Sequence, residues 1–135
     1  MADLTVVAAN VKPAASTVTK KGIAGESISA GESVFKAADG GIELCENDQA
    51  ALDAACIGVA LNDAAVDQPI EYAITGDVNM GAIMTIGQTY VVGAAPGGIA
   101  PEVDVIATEF LTVIGVATTT SNLKLGILQS GVAHG

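Results

Sequence analysis

Arginine and tryptophan are missing from this 135-residue chain, and its one histidine, His134, is the penultimate residue. Cys45 and Cys56 complete the short set of reactive side chains. A chain so poor in nucleophiles and bases builds a surface and works by being somewhere. Aromatic residues are scarce as well: Phe35, Tyr72, Tyr90 and Phe110 are all there are. The core must therefore be assembled from small aliphatic side chains, each burying little area at roughly 25 cal/mol per Å². Contact between subunits is the natural supplement, which predicts an oligomer.

Positive charge is equally short. Five lysines face fifteen carboxylates, for a net charge of −10, which excludes the basic footprint that displaces counterions from nucleic acid. Lys12, Lys20 and Lys21 fall in the first twenty-one residues, whose only acid is Asp3, so that segment carries +2. The remainder carries −12, from two lysines against fourteen acids. The lysines either solubilise a flexible arm or make it a tether for a partner with an acidic patch.

Long apolar runs are also lacking. None reaches the roughly 18 residues that cross a bilayer, and the first residues have neither the positive opening nor the apolar stretch of a signal peptide. Neither export by a signal peptide nor a membrane partner is expected. Cys45 and Cys56 alone do not make a disulfide framework, and free buried thiols in a reducing compartment are expected.

What is there is strand and turn. Residues 1–22 read as an extended N-terminal arm: Leu4 to Ala9 is β-prone, Lys12-Pro13 interrupts it, and Ser16 to Lys21 is polar without a period. Residues 23–135 read as a single β domain punctuated by most of the sixteen glycines. Ala24-Gly25-Glu26-Ser27-Ile28 is echoed by Ala30-Gly31-Glu32-Ser33-Val34, each glycine turning the chain into a short extended piece. Ser33 to Ala37 meets Ile42 to Glu46 across Asp39-Gly40-Gly41, a tight-hairpin signal. Asp48 to Ala55, rich in alanine and capped by Asn47 or Asp48, predicts the one short helix.

Beyond it, Cys56 to Leu61 is an apolar run, and Pro69 to Ile74 alternates as a half-buried strand does. Gly76-Asp77 predicts a turn into Val78-Asn79-Met80, Thr89 to Val92 a strand, and Ala94 to Pro101 a loop. Phe110 to Ala117 and Leu123 to Leu128 form a last pair. The architecture predicted is all-β, a small barrel or sandwich with one short helix. Ile57-Gly58-Val59-Ala60 recurs as Ile114-Gly115-Val116-Ala117; either common residues coincide, or two equivalent strands stand about half a chain apart.

No motif for chemistry emerges. The chain has no Gly-x-Ser-x-Gly elbow, phosphate loop or dinucleotide fingerprint. The two cysteines have no neighbouring histidine and lack zinc-ligand spacing. His134 lies in a glycine-containing tail, a poor place for a general base. Glu43, Glu46 and Asp48 gather near the first hairpin, and Asp63 and Asp67 share a turn. None of these runs supplies the alternating oxygens of a calcium loop, so they read as solvated acids. A lipoyl- or biotinyl-carrier role fails because Val78-Asn79-Met80-Gly81-Ala82 offers no lysine at its turn. No catalytic site, cofactor or metal is expected, and no enzyme.

The order of the pieces carries more than any one of them. Ala24-Gly25-Glu26, Ala30-Gly31-Glu32-Ser33-Val34, Ala38-Asp39-Gly40-Gly41 and Ile57-Gly58-Val59-Ala60 are followed by Ile70-Glu71-Tyr72-Ala73 and Gly76-Asp77-Val78. Gly87-Gln88-Thr89-Tyr90-Val91-Val92, Gly97-Gly98-Ile99-Ala100-Pro101, Val113-Ile114-Gly115-Val116-Ala117 and Leu123-Lys124-Leu125 complete the series. This collinear series, over most of residues 22–128, resembles the small capsid decoration (cement) proteins of tailed phages. The resemblance implies a β domain on the outside of an icosahedral head, commonly a trimer at or near local three-fold positions, reinforcing joints between major capsid proteins. It carries over no site residues.

From charge and flexibility, the arm residues Leu4, Val6, Val7, Lys12, Lys20 and Lys21 are the candidate capsid contacts, with β-strand addition as a mode of docking. A surface module that binds carbohydrate or a receptor, through Tyr72 or Tyr90 with Glu71, is the alternative from a different class.

Overall fold

Short runs of Val, Ile and Thr between glycine turns satisfy their backbone groups by pairing edge to edge, and the sheet they form curls to cover one face. The computed structural model describes residues 4–48, 52–104 and 109–133. Its strands are β1 (Lys12–Pro13), β2 (Val18–Ile23), β3 (Ser33–Lys36), β4 (Ile42–Leu44), β5 (Gly58–Ala60) and β6 (Pro69–Asn79). They continue with β7 (Thr89–Val92), β8 (Ile99–Pro101), β9 (Phe110–Ala117) and β10 (Asn122–Ala133). All pair antiparallel in one curled sheet, an open half-barrel ordered β4-β3-β5-β6-β10-β9-β7-β8, with β1 and β2 on β6. The chain is all-β.

Helical structure among the described residues amounts to single 3-10 turns at Ala8–Asn10, Leu52–Ala54 and Glu102–Asp104. The helix expected over Asp48 to Ala55 is represented by the second of these, and residues 49–51 lie outside the described set.

The hairpin expected across Asp39-Gly40-Gly41 forms between β3 and β4, with Val34 opposite Leu44 and Lys36 opposite Ile42. Two stretches beyond the N-terminal segment also differ from expectation. Ala94 to Pro101 is not all loop: β8 pairs with β7, Val92 facing Ile99 and Tyr90 facing Pro101. Pro101 is tolerated because β8 is the last strand of the sheet, where a missing donor breaks no ladder. Gly76-Asp77 is likewise no turn, since β6 runs straight through it. The chain keeps its course by a bulge. Val18 faces Thr75 and Thr19 faces Ala73, leaving Ile74 between them. Gly76 then takes a positive φ of 86°, with the Ser16 carbonyl standing where a Cβ would be.

One strand serves two cores, and Ala73 already enters the larger one ahead of the bulge. Before it, Ile70 and Tyr72 pack with Ile28, Val34 and Ile42 in a smaller cluster. After it, Val78 joins Phe35, Tyr90, Ile99, Ile114 and Leu123 in a larger one.

The sheet order reads alike from both ends, because the chain repeats one pattern. A hairpin, a 3-10 turn and two antiparallel strands appear first as β3 to β6 and again as β7 to β10. Backbone hydrogen bonds repeat with it. Ile28 N–H reaches Ala64 at 2.8 Å and Met84 reaches Thr120 at 3.0 Å; Gly31 reaches Ala60 at 2.8 Å and Gly87 reaches Ala117 at 2.7 Å. Ala60 N–H donates to Glu32, and Ala117 to Gln88, at 2.9 and 3.0 Å. The two Ile-Gly-Val-Ala strings occupy equivalent places. A Cβ on Gly58 would strike the Ala73 carbonyl, and one on Gly115 the Lys124 carbonyl, so both glycines admit the neighbouring strand's backbone.

Candidate interaction surface

The N-terminal residues divide by the face they present. Leu4 and Val6 are half-buried and pack against the larger cluster of their own domain, and Leu4 N–H donates to the Ile99 carbonyl at 2.7 Å. Val7, between the inward and outward sets, is 52% exposed. The polar stretch without a period becomes β2, and the interrupting Lys12-Pro13 becomes β1. Both lie along one edge of β6, whose exposed lysines stand opposite Asn79 (Lys12), Tyr72 (Lys20) and Glu71 (Lys21). Pro13 is accommodated because β1 has β6 on one side and no strand on the other.

The other edge of β6 changes partner midway. β5 holds Tyr72 and Ala73, and β10 holds Gly76 through Asn79. Ile74 and Thr75 pair with neither, because the chain leading into β5 and the continuation of β10 diverge there. The amide of Gln129 bridges the divergence, donating to the Cys56 carbonyl at 2.7 Å. The parting opens a groove of about 540 Å³, floored by Ile57, Tyr72, Ile74 and Ile127 and flanked by Lys20, Lys21 and Lys36.

The fold therefore brings Lys20 and Lys21 together with Lys36, and leaves Lys12 at the far end of β6. Neither Lys36 nor the isoleucine floor is legible as a site in the sequence. The only local signal is that Ile57 and Ile127 each sit beside a strand glycine, Gly58 and Gly126.

Among the acids, Glu71 stands opposite Lys21 and accepts from the Thr19 hydroxyl at 2.8 Å, and four others bind backbone N–H groups. Glu26 accepts from Leu44 N–H (2.9 Å), Glu32 from Ser29 N–H (2.6 Å), Asp39 from Gly41 N–H (2.9 Å) and Asp63 from Ala30 N–H (2.9 Å). Partial burial raises the Glu32 carboxyl above the usual range, the Ser29 N–H opposes this, and Glu26 and Asp63 add to it. Loss of hydration also raises Glu43, and Glu26, Asp39 and Asp53 push it further by like-charge repulsion. No group of three His, Cys, Asp or Glu among the described residues is arranged to hold a metal ion. Asp63 is thus a structural ligand of the backbone and not merely a solvated acid.

Cys45 and Cys56 are free and fully buried. Burial pushes the Cys45 thiol well up, with the adjacent Cys56 thiol adding to the effect, and Cys56 donates to the Gly58 carbonyl at 3.3 Å. Both behave as small core residues. Tyr72 and Tyr90 are buried too, at 5% and 2% exposure, and the Tyr90 hydroxyl accepts from Thr85 N–H. His134 lies outside the described residues.

No protein-family model matches the chain, and no curated protein matches it.

Proposed function

We propose that this protein is a non-enzymatic decoration protein on the outer surface of an icosahedral phage head. It stabilises joints between major capsid proteins, as a homotrimer at or near local three-fold positions. The observation that carries the reading is the collinear series of glycine-turn strands. Its members fall in order on strands and flanking turns of one described body, from Ala30–Val34 at β3 through Gly87–Val92 at β7 to Leu123–Leu125 at β10. An all-β body in which Glu26, Glu32, Asp39 and Asp63 bind backbone N–H groups suits a part that works by position. A trimer engages a shell through three copies of one patch, so weak contacts add by effective concentration.

In this role Leu4 and Val6 fasten the N-terminal segment to its own domain, while Val7, Lys12, Lys20 and Lys21 meet the shell. The protein is made in the bacterial cytoplasm and ends on the virion, with the major capsid protein and its own copies as partners and no nucleic acid or membrane. The carbohydrate- or receptor-binding alternative draws less support, because the rings of Tyr72 and Tyr90 are buried and give sugars no platform.

Light scattering on the purified protein, repeated after mixing with undecorated heads, tests the reading. A trimer that co-migrates with heads and raises their melting temperature is expected. A monomer that never co-migrates contradicts it.

A further inference from the structure

The groove at the parting of β5 and β10 combines two features that do not stabilise one another. Three of the five lysines of a chain with net charge −10 flank one concavity, and none of them forms an ion pair with the described residues. Lys20 stands across from Tyr72 and Lys36 across from Ile42, while Glu71, opposite Lys21, accepts from the Thr19 hydroxyl, so an anionic occupant meets an excess of positive charge here. The floor is the second feature. Ile57, Ile74 and Ile127 are each only half-buried, so apolar surface stays in contact with water at the centre of the basic rim. Covering it returns roughly 25 cal/mol per Å².

We infer that this groove is the docking site for an acidic protein segment that carries an aliphatic or aromatic side chain. The inference rests on the decoration reading in one respect, that the partner is the shell protein. Charge complementarity selects an anionic occupant, and the isoleucine floor selects among anions. Nucleic-acid bases favour aromatic platforms over an aliphatic floor such as Ile57 and Ile74, and a long polyanion meets the negative field of the rest of the molecule. A peptide segment brings carboxylates and an apolar side chain together, with the carboxylates reaching Lys20, Lys21 and Lys36 at the rim. One wall is set by the bulge in β6 and the other by the side-chain amide of Gln129 bonded to the Cys56 carbonyl. The site is therefore largely preformed, which lowers the ordering cost of binding.

The arrangement also gives the arm lysines a location. Lys20 and Lys21 act from a fixed edge strand, with Lys36 of another strand as their companion, and not from a trailing tether.

The test uses the full chain with two probes. The first is a library of acetylated acidic hexapeptides with a central leucine or phenylalanine, and the same library with serine at that place. The second is undecorated heads of the phage that encodes the chain. Wild-type protein binds the apolar-centred peptides and discriminates against the serine set. The Lys20→Glu/Lys36→Glu variant weakens both peptide and head binding about tenfold or more, and Lys124→Glu leaves both within about twofold. Ile74→Ser weakens the peptides while melting within a few degrees of wild type.

Heads bound equally well by wild type and the Lys20→Glu/Lys36→Glu variant overturn the groove and leave the decoration reading standing. Peptides bound at the groove while heads are ignored overturn the decoration reading and leave the groove standing. Equal saturation by inorganic phosphate, peptides that bind nowhere, or a trimer that falls apart in the lysine variant would each overturn the proposal. The first would mean a small-anion pocket, and the last a second copy as occupant.

Discussion

The two halves of the molecule share one backbone plan and differ in what they hang on it. In the first, β3 to β6, the hairpin tip is Asp39-Gly40-Gly41, the strand beside it carries Lys36, and the turns are tied by Glu26, Glu32 and Asp63. In the second, β7 to β10, the tip is Pro96-Gly97-Gly98, and the slot of Glu32 is filled by Gln88. That slot is defined by the N–H of residues 32 and 88 reaching Ser29 and Thr85. The first half also has its long strand β6 covered along one edge by the N-terminal segment, which brings two more lysines. Scaffold and chemistry therefore separate: the repeated hydrogen bonds build the sheet, and the residues that are not repeated build the surface.

The largest expected effect probes the cores. Tyr90 is among the largest fully buried side chains of the second half, and the place it holds in β7 is held in β3 by Val34. Tyr90→Ala should cost about 3–5 kcal/mol, and Val34→Ala about 2 kcal/mol, both read from urea unfolding. Equal costs would contradict the view that the second half depends on its aromatic anchor.

Glycine equivalence comes next. Gly58→Ala and Gly115→Ala each force a Cβ onto a neighbouring carbonyl, and should destabilise by about 1–3 kcal/mol apiece. The double variant should be close to additive, since the two sites share no partner. One neutral substitution beside one costly one would break the equivalence.

A smaller effect tests the link between the halves. Gln129→Ala removes the bond to the Cys56 carbonyl and should cost about 1 kcal/mol. Amide exchange should quicken at residues 56–58 before it quickens in β7.

The smallest effect makes the halves alike. Glu32→Gln installs the second half's residue and keeps an acceptor for Ser29 N–H. The Glu32 carboxyl is raised in the folded state, chiefly by burial, so the native protein holds its proton more tightly than the unfolded chain. Protonation therefore stabilises wild type as pH falls through the carboxylate range, and that contribution is lost as pH rises through the raised value. The variant should be slightly more stable than wild type at neutral pH, with the difference closing on acidification. Thermal melts from pH 7 down to pH 4 would show it, and a difference that widens on acidification would contradict it.

Much of the fold is legible in the sequence because the turns are written in glycine. Asp39-Gly40-Gly41 marks its hairpin unaided, and the paired Ile-Gly-Val-Ala strings mark two equivalent strands. The misreadings share a cause. Gly76 resembles a turn residue, yet it serves a bulge inside a strand because the Ser16 carbonyl, sixty residues earlier in the chain, must come close. Pro101 resembles a loop residue because nothing local says that β8 is an outer strand. The candidate surface is the least legible part. Lys20 and Lys21 stand out by charge, but Lys36, Ile74 and Ile127 come to line one groove only where β5 and β10 part along the same edge of β6, and that parting is a property of the assembled sheet.

Amide hydrogen exchange on decorated and free protein would test most directly the claim that the unrepeated chemistry of the first half meets the shell. The account predicts new protection on heads at Val18–Ile23, at residues 56–57 and at residues 126–129, with β7 and β8 unchanged. Protection confined to β7 and β8, or a pattern identical in the two states, would contradict it.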